Sequence, residues 1–270
     1  MGLPRQMPLG KVCPLPIDEE TFLQWRLGNP ISPIENVDRQ SSLLAQMVLL
    51  NQLLLKINDV IAESAAIGEL TSALERKVRD ISQQLDGWHD SIPEYMKDTP
   101  DNLMRYAAKG LGRIFVAVWL GYYHFGQLLF YQFLHEDQQS PNQKHYSMKC
   151  KSYAAGLCNL VYAASSTPNC DVRYNMVGHI LVIASTIQIH TLLFETDELD
   201  IREARFRLEQ NFEILTRLRE YWPMLDMIFS RLQIFHEVCR KSVDSSFRMD
   251  QWMLKFLSEF AEPIQEKAIV

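Results

Sequence analysis

Apolar residues recur at helical spacing along most of the chain. From Leu43, the positions Met47, Leu50, Leu54, Ile57 and Ile61 follow in steps of four and three, which lines one face of a helix. Asn36 or Asp38 upstream is a residue of the kind that caps such a helix. Beyond Gly68 a second stripe runs through Leu70, Leu74, Val78, Ile81 and Leu85, with Gly87 and then Pro93 as stop signals. Residues 100–134 read as one long helix whose second half is apolar almost all round, so it belongs at the centre of the core. The polar run Gln138 to Gln143 marks a loop near 136–146. Cys150, Tyr153, Leu157 and Val161 stripe the next helix, and Ser165 to Asn169 close it. A second all-round apolar helix covers 172–194, followed by an amphipathic one with Ala204, Leu208, Phe212, Leu215 and Leu218 inside. Pro223 opens another helix, striped by Leu225, Ile228, Leu232, Phe235 and Cys239, and a short last one carries Trp252, Phe256 and Phe260. There is no alternating strand pattern, hairpin signal or fixed-period repeat. The pattern predicts an all-α fold, an irregular array of about 8–10 helices with two central apolar ones.

Half of the 12 prolines fall by residue 33, so 1–34 reads as a proline-rich extended segment. Residues 35–260 then form a single helical domain and 261–270 a C-terminal tail. A chain of 270 residues can bury a core without help from disulfides or metals. With 47% hydrophobic and 22% charged residues, whole-chain disorder is excluded. The 5 cysteines form no C-x-x-C pair and are odd in number, which fits a reducing intracellular compartment. Net charge is −6 and no basic run stands out, which disfavours direct nucleic-acid binding. Ile114 to Leu134 and Tyr174 to Phe194 carry no charge and are long enough to raise the question of membrane spans. Their polar residues (His124, Gln127 and Gln132; Asn175, His179, Ser185, Gln188 and His190) favour buried core helices, because such groups are costly in lipid.

No glycine-rich phosphate loop, H-E-x-x-H motif, G-x-S-x-G elbow or zinc-ligand spacing occurs. Asp18-Glu19-Glu20 is a carboxylate cluster, read as a solvated acidic segment ahead of a helix rather than as a hydrolytic centre. The sequence therefore assigns no catalytic, cofactor-binding or metal residues. The candidate ligand site lies between the two apolar helices, where Tyr123, His124, Gln127, His179, Gln188 and His190 supply the few polar groups that an apolar pocket needs. In the alternative, these side chains bond one another within a closed core.

Four stretches together resemble one family. Cys13 to Phe22, with Leu15-Pro16-Ile17-Asp18-Glu19, is similar to an L-P-x-D-E segment. Leu85 to Pro93, with Trp88, resembles an L-x-x-W-x-x-x-L-P helix end, and Leu120 to Leu134, with Tyr123-His124, an L-x-x-Y-H-x-x-x-x-L-L helix. Gly178, His190, Leu215 and Tyr221-Trp222-Pro223 fall at the positions of a fourth, G…H…L…W run. The family is the regulatory, or middle homology, region of fungal zinc-cluster transcription factors. The resemblance implies an all-helical, non-enzymatic regulatory or effector-sensing domain of a nuclear protein. Its expected partners are a small apolar metabolite, other transcription proteins and a second copy of the chain, with neither membrane nor direct nucleic acid. It makes Leu15, Pro16, Asp18, Trp88, His124, Trp222 and Pro223 packing signatures. Zinc belongs only to the family's DNA-binding module, whose closely spaced cysteines are not in this chain. Two other readings stand beside it: a pure interaction scaffold without a ligand, and a helical lipid or isoprenoid enzyme, which would need an acidic metal-binding cluster.

Overall fold

The computed structural model of the chain describes residues 15–26, 42–67, 71–134 and 142–241. Asn36, Asp38, Cys13, the helix expected around Trp252, Phe256 and Phe260, and the tail 261–270 lie outside the described residues. Among the described residues all regular structure is helical, which makes the fold all-α as expected. The helices are α1 (Glu19–Arg26), α2 (Leu43–Ile67), α3 (Ser72–Ser91), α4 (Pro100–Ala108), α5 (Gly112–Phe130), α6 (Gln143–Ser166), α7 (Met176–Phe194), α8 (Glu198–Arg219) and α9 (Asp226–Lys241). Short 3₁₀ turns follow α3, α5 and α8, at Glu94–Met96, Tyr131–Leu134 and Pro223–Leu225.

Several boundaries differ from the sequence expectation, each for a local reason. The segment read as extended contains α1, because Asp18 caps it, its Oδ1 accepting from the Thr21 amide at 2.8 Å. Helix α3 runs through Gly87 to Ser91, since Leu85 and Trp88 on either side of that glycine are both buried. The helix expected over 100–134 is two helices. Gly110 takes a left-handed φ of 73°, the Leu111 amide bonds back to the Tyr106 carbonyl at 2.9 Å, and the Gly110 amide bonds to Ala107 at 3.0 Å. That is a Schellman stop, and glycine adopts it without steric cost. Helix α6 begins at Gln143, inside the segment read as a loop, and α7 begins at Met176 rather than near 172.

Helix α5 is the hub, packing along α6, α2 and α4, while α7 packs against α8, α6 and α9. The α5–α6 contact is close because each helix offers a glycine to a tyrosine of the other. The Tyr153 ring covers Gly126, and the Tyr123 ring covers Gly156, leaving no room for a methyl group at either. Helix α7 is buried continuously from Val177 to Thr191, so both expected central helices are central. They do not lie side by side, however: α6 packs against both. Helices α2, α5 and α7 are long and apolar enough to cross a membrane by length and composition. In the fold, 78% of the α5 stretch and 83% of the α7 stretch are buried by the protein itself, against 39% for α2.

Candidate functional site

Three of the six candidate pocket residues converge where α5 meets α7. Gln127 is fully buried; its Nε2 donates to His124 Nδ1 at 3.0 Å and lies 3.4 Å from the Ile180 carbonyl. The His179 ring sits edge-on to that of His124, centroids 6.4 Å apart. From the other side the Cys150 thiol donates to the Gln127 carbonyl at 3.5 Å. Gln127 Oε1 is buried with no hydrogen-bond partner. An amide donating to Nδ1 leaves the His124 proton on Nε2. Burial, and then the neighbouring His179, push the His124 pKa down to about 3, so the ring is neutral at physiological pH.

The other three candidates part company. The Tyr123 hydroxyl donates to Asp98 at 2.8 Å, on the side of α5 that covers Gly156. Gln188 is nine residues from His179, two and a half turns, so it occupies the opposite face of α7. His190 shares the His179 face but lies about 16 Å further along the axis. There its ring packs on Phe194 at 4.8 Å, and burial together with the Lys151 charge lowers its pKa to about 3.

Three cavities among the described residues open elsewhere. One of about 250 Å³ is lined by Asp18, Glu19, Glu20, Arg105 and Lys109. A second, of about 270 Å³, lies in the α2–α3 groove at Lys56, Asp59, Glu63, Lys77 and Asp80. A third, of about 400 Å³, is a surface hollow at Asn159 and Phe206. None of the three is lined by any of the six candidates. A second polar join continues the first: Asn211 of α8 donates to Ser185 of α7 at 3.0 Å and to the Cys158 sulfur at 3.3 Å. Tyr131 meets Thr186 at 2.7 Å. Burial raises the pKa of Cys150, Cys158 and Cys170, which keeps these thiols protonated and poor as nucleophiles.

The acidic cluster is not simply solvated. Glu19 reaches across to the start of α2, where its carboxylate accepts from Ser42 Oγ at 2.9 Å, the Leu43 amide at 3.2 Å and the Leu44 amide at 2.9 Å. Ser42 in turn caps the Ala45 amide at 3.1 Å. Glu20 pairs with Lys109 beyond the end of α4. Glu19 and Glu20 therefore pin α1 to α2 and α4, while Asp18 caps α1 itself. The Ser41-Ser42 pair ahead of an apolar run was a readable cap signal, whereas a carboxylate donated from another helix leaves no local trace.

The two motif tryptophans also sit at joints. Trp88 is buried, stacked on Tyr122 at 5.3 Å and edge-on to Trp119 at 5.7 Å. Trp119 Nε1 donates to the Met96 carbonyl at 2.9 Å. Trp222, expected as a packing signature, is not buried: the residue is 37% exposed. It holds the corner through Nε1, which donates to the Arg173 carbonyl at 2.6 Å, while the guanidinium of Arg173 lies over the Tyr221 ring at 4.9 Å. No family model, curated protein or solved structure matches this chain.

Proposed function

We propose that this chain is a non-enzymatic regulatory domain of the fungal zinc-cluster type, acting in the nucleus through contacts with protein partners. One observation carries the reading. Residues of the stretches that resemble the family sit at joints of the helical array: Glu19 and Glu20 bind α1 to α2 and α4, and Trp88 binds α3 to α5. His124 meets α7, and Trp222 closes the corner between α8 and α9. A chain whose family-like motif residues are spent on joints presents surfaces rather than a reaction centre, which favours partner binding as its mode of action. Tethering the full chain to a heterologous DNA-binding module in a yeast reporter strain tests this. Altered reporter output, up or down, is expected. Unchanged output on both an activating and a repressing reporter overturns the reading.

A second reading, effector sensing at the α5–α7 contact, is favoured by Gln127 Oε1, a buried acceptor without a donor. A small apolar molecule carrying one hydroxyl would complete it once the two helices part, because none of the three cavities reaches Gln127. Ligand binding regulates only if it favours one conformation over another. Native mass spectrometry of the purified chain checks this reading; bare protein alone counts against it.

A further inference from the structure

The outward face of α2 lacks the charges expected of a helix in water. Leu44, Val48, Asn51, Leu55, Asn58 and Ala62 are all exposed and follow one another in steps of four and three, directly opposite the buried face of Leu50, Leu53, Ile57 and Ser64. Leu44, Val48 and Leu55 are each about two-fifths exposed, at 40%, 41% and 40%. The charges of the helix lie to one side, toward α3. Lys56 bonds Gln84 at 2.5 Å, Glu63 pairs with Lys77 at 2.5 Å, and Asp59 lines the same groove. By contrast, α8 exposes Arg202, Glu203, Arg205, Glu209 and Glu213.

The stripe has heptad geometry, with Leu44, Asn51 and Asn58 at one seam position and Val48, Leu55 and Ala62 at the other. Its own composition selects the partner. A buried asparagine needs a polar group at its own level, and in a parallel, in-register pair Asn51 meets Asn51 and Asn58 meets Asn58. The apolar layers then also meet their own kind. An antiparallel pair about residue 53 would instead set Asn51 against Leu55 and Asn58 against Val48, leaving four amides facing carbon. We propose that the chain associates with a second copy of itself through this face of α2, parallel and in register. The proposal builds on the partner-binding reading by naming one partner. The seam from Leu44 to Ala62 is about 27 Å long and one helix wide. That is small for a permanent interface, so the dimer is a weak, micromolar one.

Sedimentation velocity on the full chain across the micromolar range tests this, with α-helical circular dichroism and melting temperature as folding controls. A concentration-dependent dimer is expected. Leu55→Glu and Asn51→Lys, both at exposed positions, should each raise the dissociation constant at least about tenfold, the loss of about 1.4 kcal/mol. Mixing Asn51→Lys chains with Asn51→Asp chains should restore association, because only the parallel register places the two altered residues together. A monomer throughout, a dimer indifferent to both substitutions, or a mixture that fails to re-form overturns the proposal. So does flotation of the monomer with neutral phosphatidylcholine vesicles, which would make lipid the occupant of the stripe. The reporter responds to any protein partner and sedimentation to self-association alone, so the two readings fail separately.

Discussion

At Gly126 the loss of a side chain decides how closely two helices approach. A methyl group there would enter the Tyr153 ring, which is itself held at 5.3 Å from Tyr122 and 6.0 Å from Phe130. Alanine elsewhere in a helix gains about 1 kcal/mol over glycine, whereas overpacking a core costs about 1–3 kcal/mol. With a rigid, enclosed ring as the obstacle, Gly126→Ala is expected to lose at least 1 kcal/mol net in a urea melt. Gly87, in α3, has open space around it, so Gly87→Ala should gain about 0.5–1 kcal/mol. The buried histidines set a pH dependence. His124 and His190 have pKa values near 3 in the fold, against about 6.5 when unfolded, so between those values the unfolded chain binds more protons. Stability contributed by the neutral rings is complete above about pH 6.5 and is lost as pH falls, by about 2 kcal/mol per histidine at pH 5. Urea melts at pH 7 and pH 5 should show that loss. His124→Gln should reduce the difference by about half.

At the scale of elements, helix identity was legible wherever one residue type dominated a face. The apolar runs of α5 and α7 announced central helices, and the structure places both in the core. The break at Gly110 was missed because apolar periodicity continues across it, although Lys109-Gly110 is a conventional helix stop. On α2 the inward and outward apolar residues interleave, and a reading that follows Leu43, Leu50 and Ile57 passes over Leu44, Val48 and Leu55. The meeting of His124 with His179 depends on where α6 places α5 relative to α7, which no local pattern encodes. The same limit hid the role of Glu19, 24 residues from Leu43. Its carboxylate supplies what a capping side chain supplies, so Glu19→Gln is expected to cost about 1 kcal/mol and Glu19→Ala up to about 2. Equal stability of Glu19→Ala and the parent chain in urea would show that water caps α2 equally well.

For the whole molecule, a net charge of −6 with Lys77, Lys109, Lys149 and Arg207 each paired to a carboxylate of the chain leaves little to attract phosphate. Fluorescence anisotropy with a random duplex at about 100 mM salt should give a dissociation constant no tighter than about 10⁻⁶ M, the non-specific range. The burial of α5 and α7 by other parts of the chain shows how a hydrophobic stretch of spanning length can serve as the axis of a helical array. The Glu19 clasp bears on the order of assembly. A carboxylate brought from so far along the chain can reach the amides of Leu43 and Leu44 only after α1 and α2 have both docked. Closing that loop carries an entropic cost before the contact rewards it. Glu19→Ala should therefore leave the refolding rate almost unchanged and accelerate unfolding, a φ-value near zero in stopped-flow measurements. The clasp would then act as the latch closed last, governing how long the native chain persists rather than how quickly it forms.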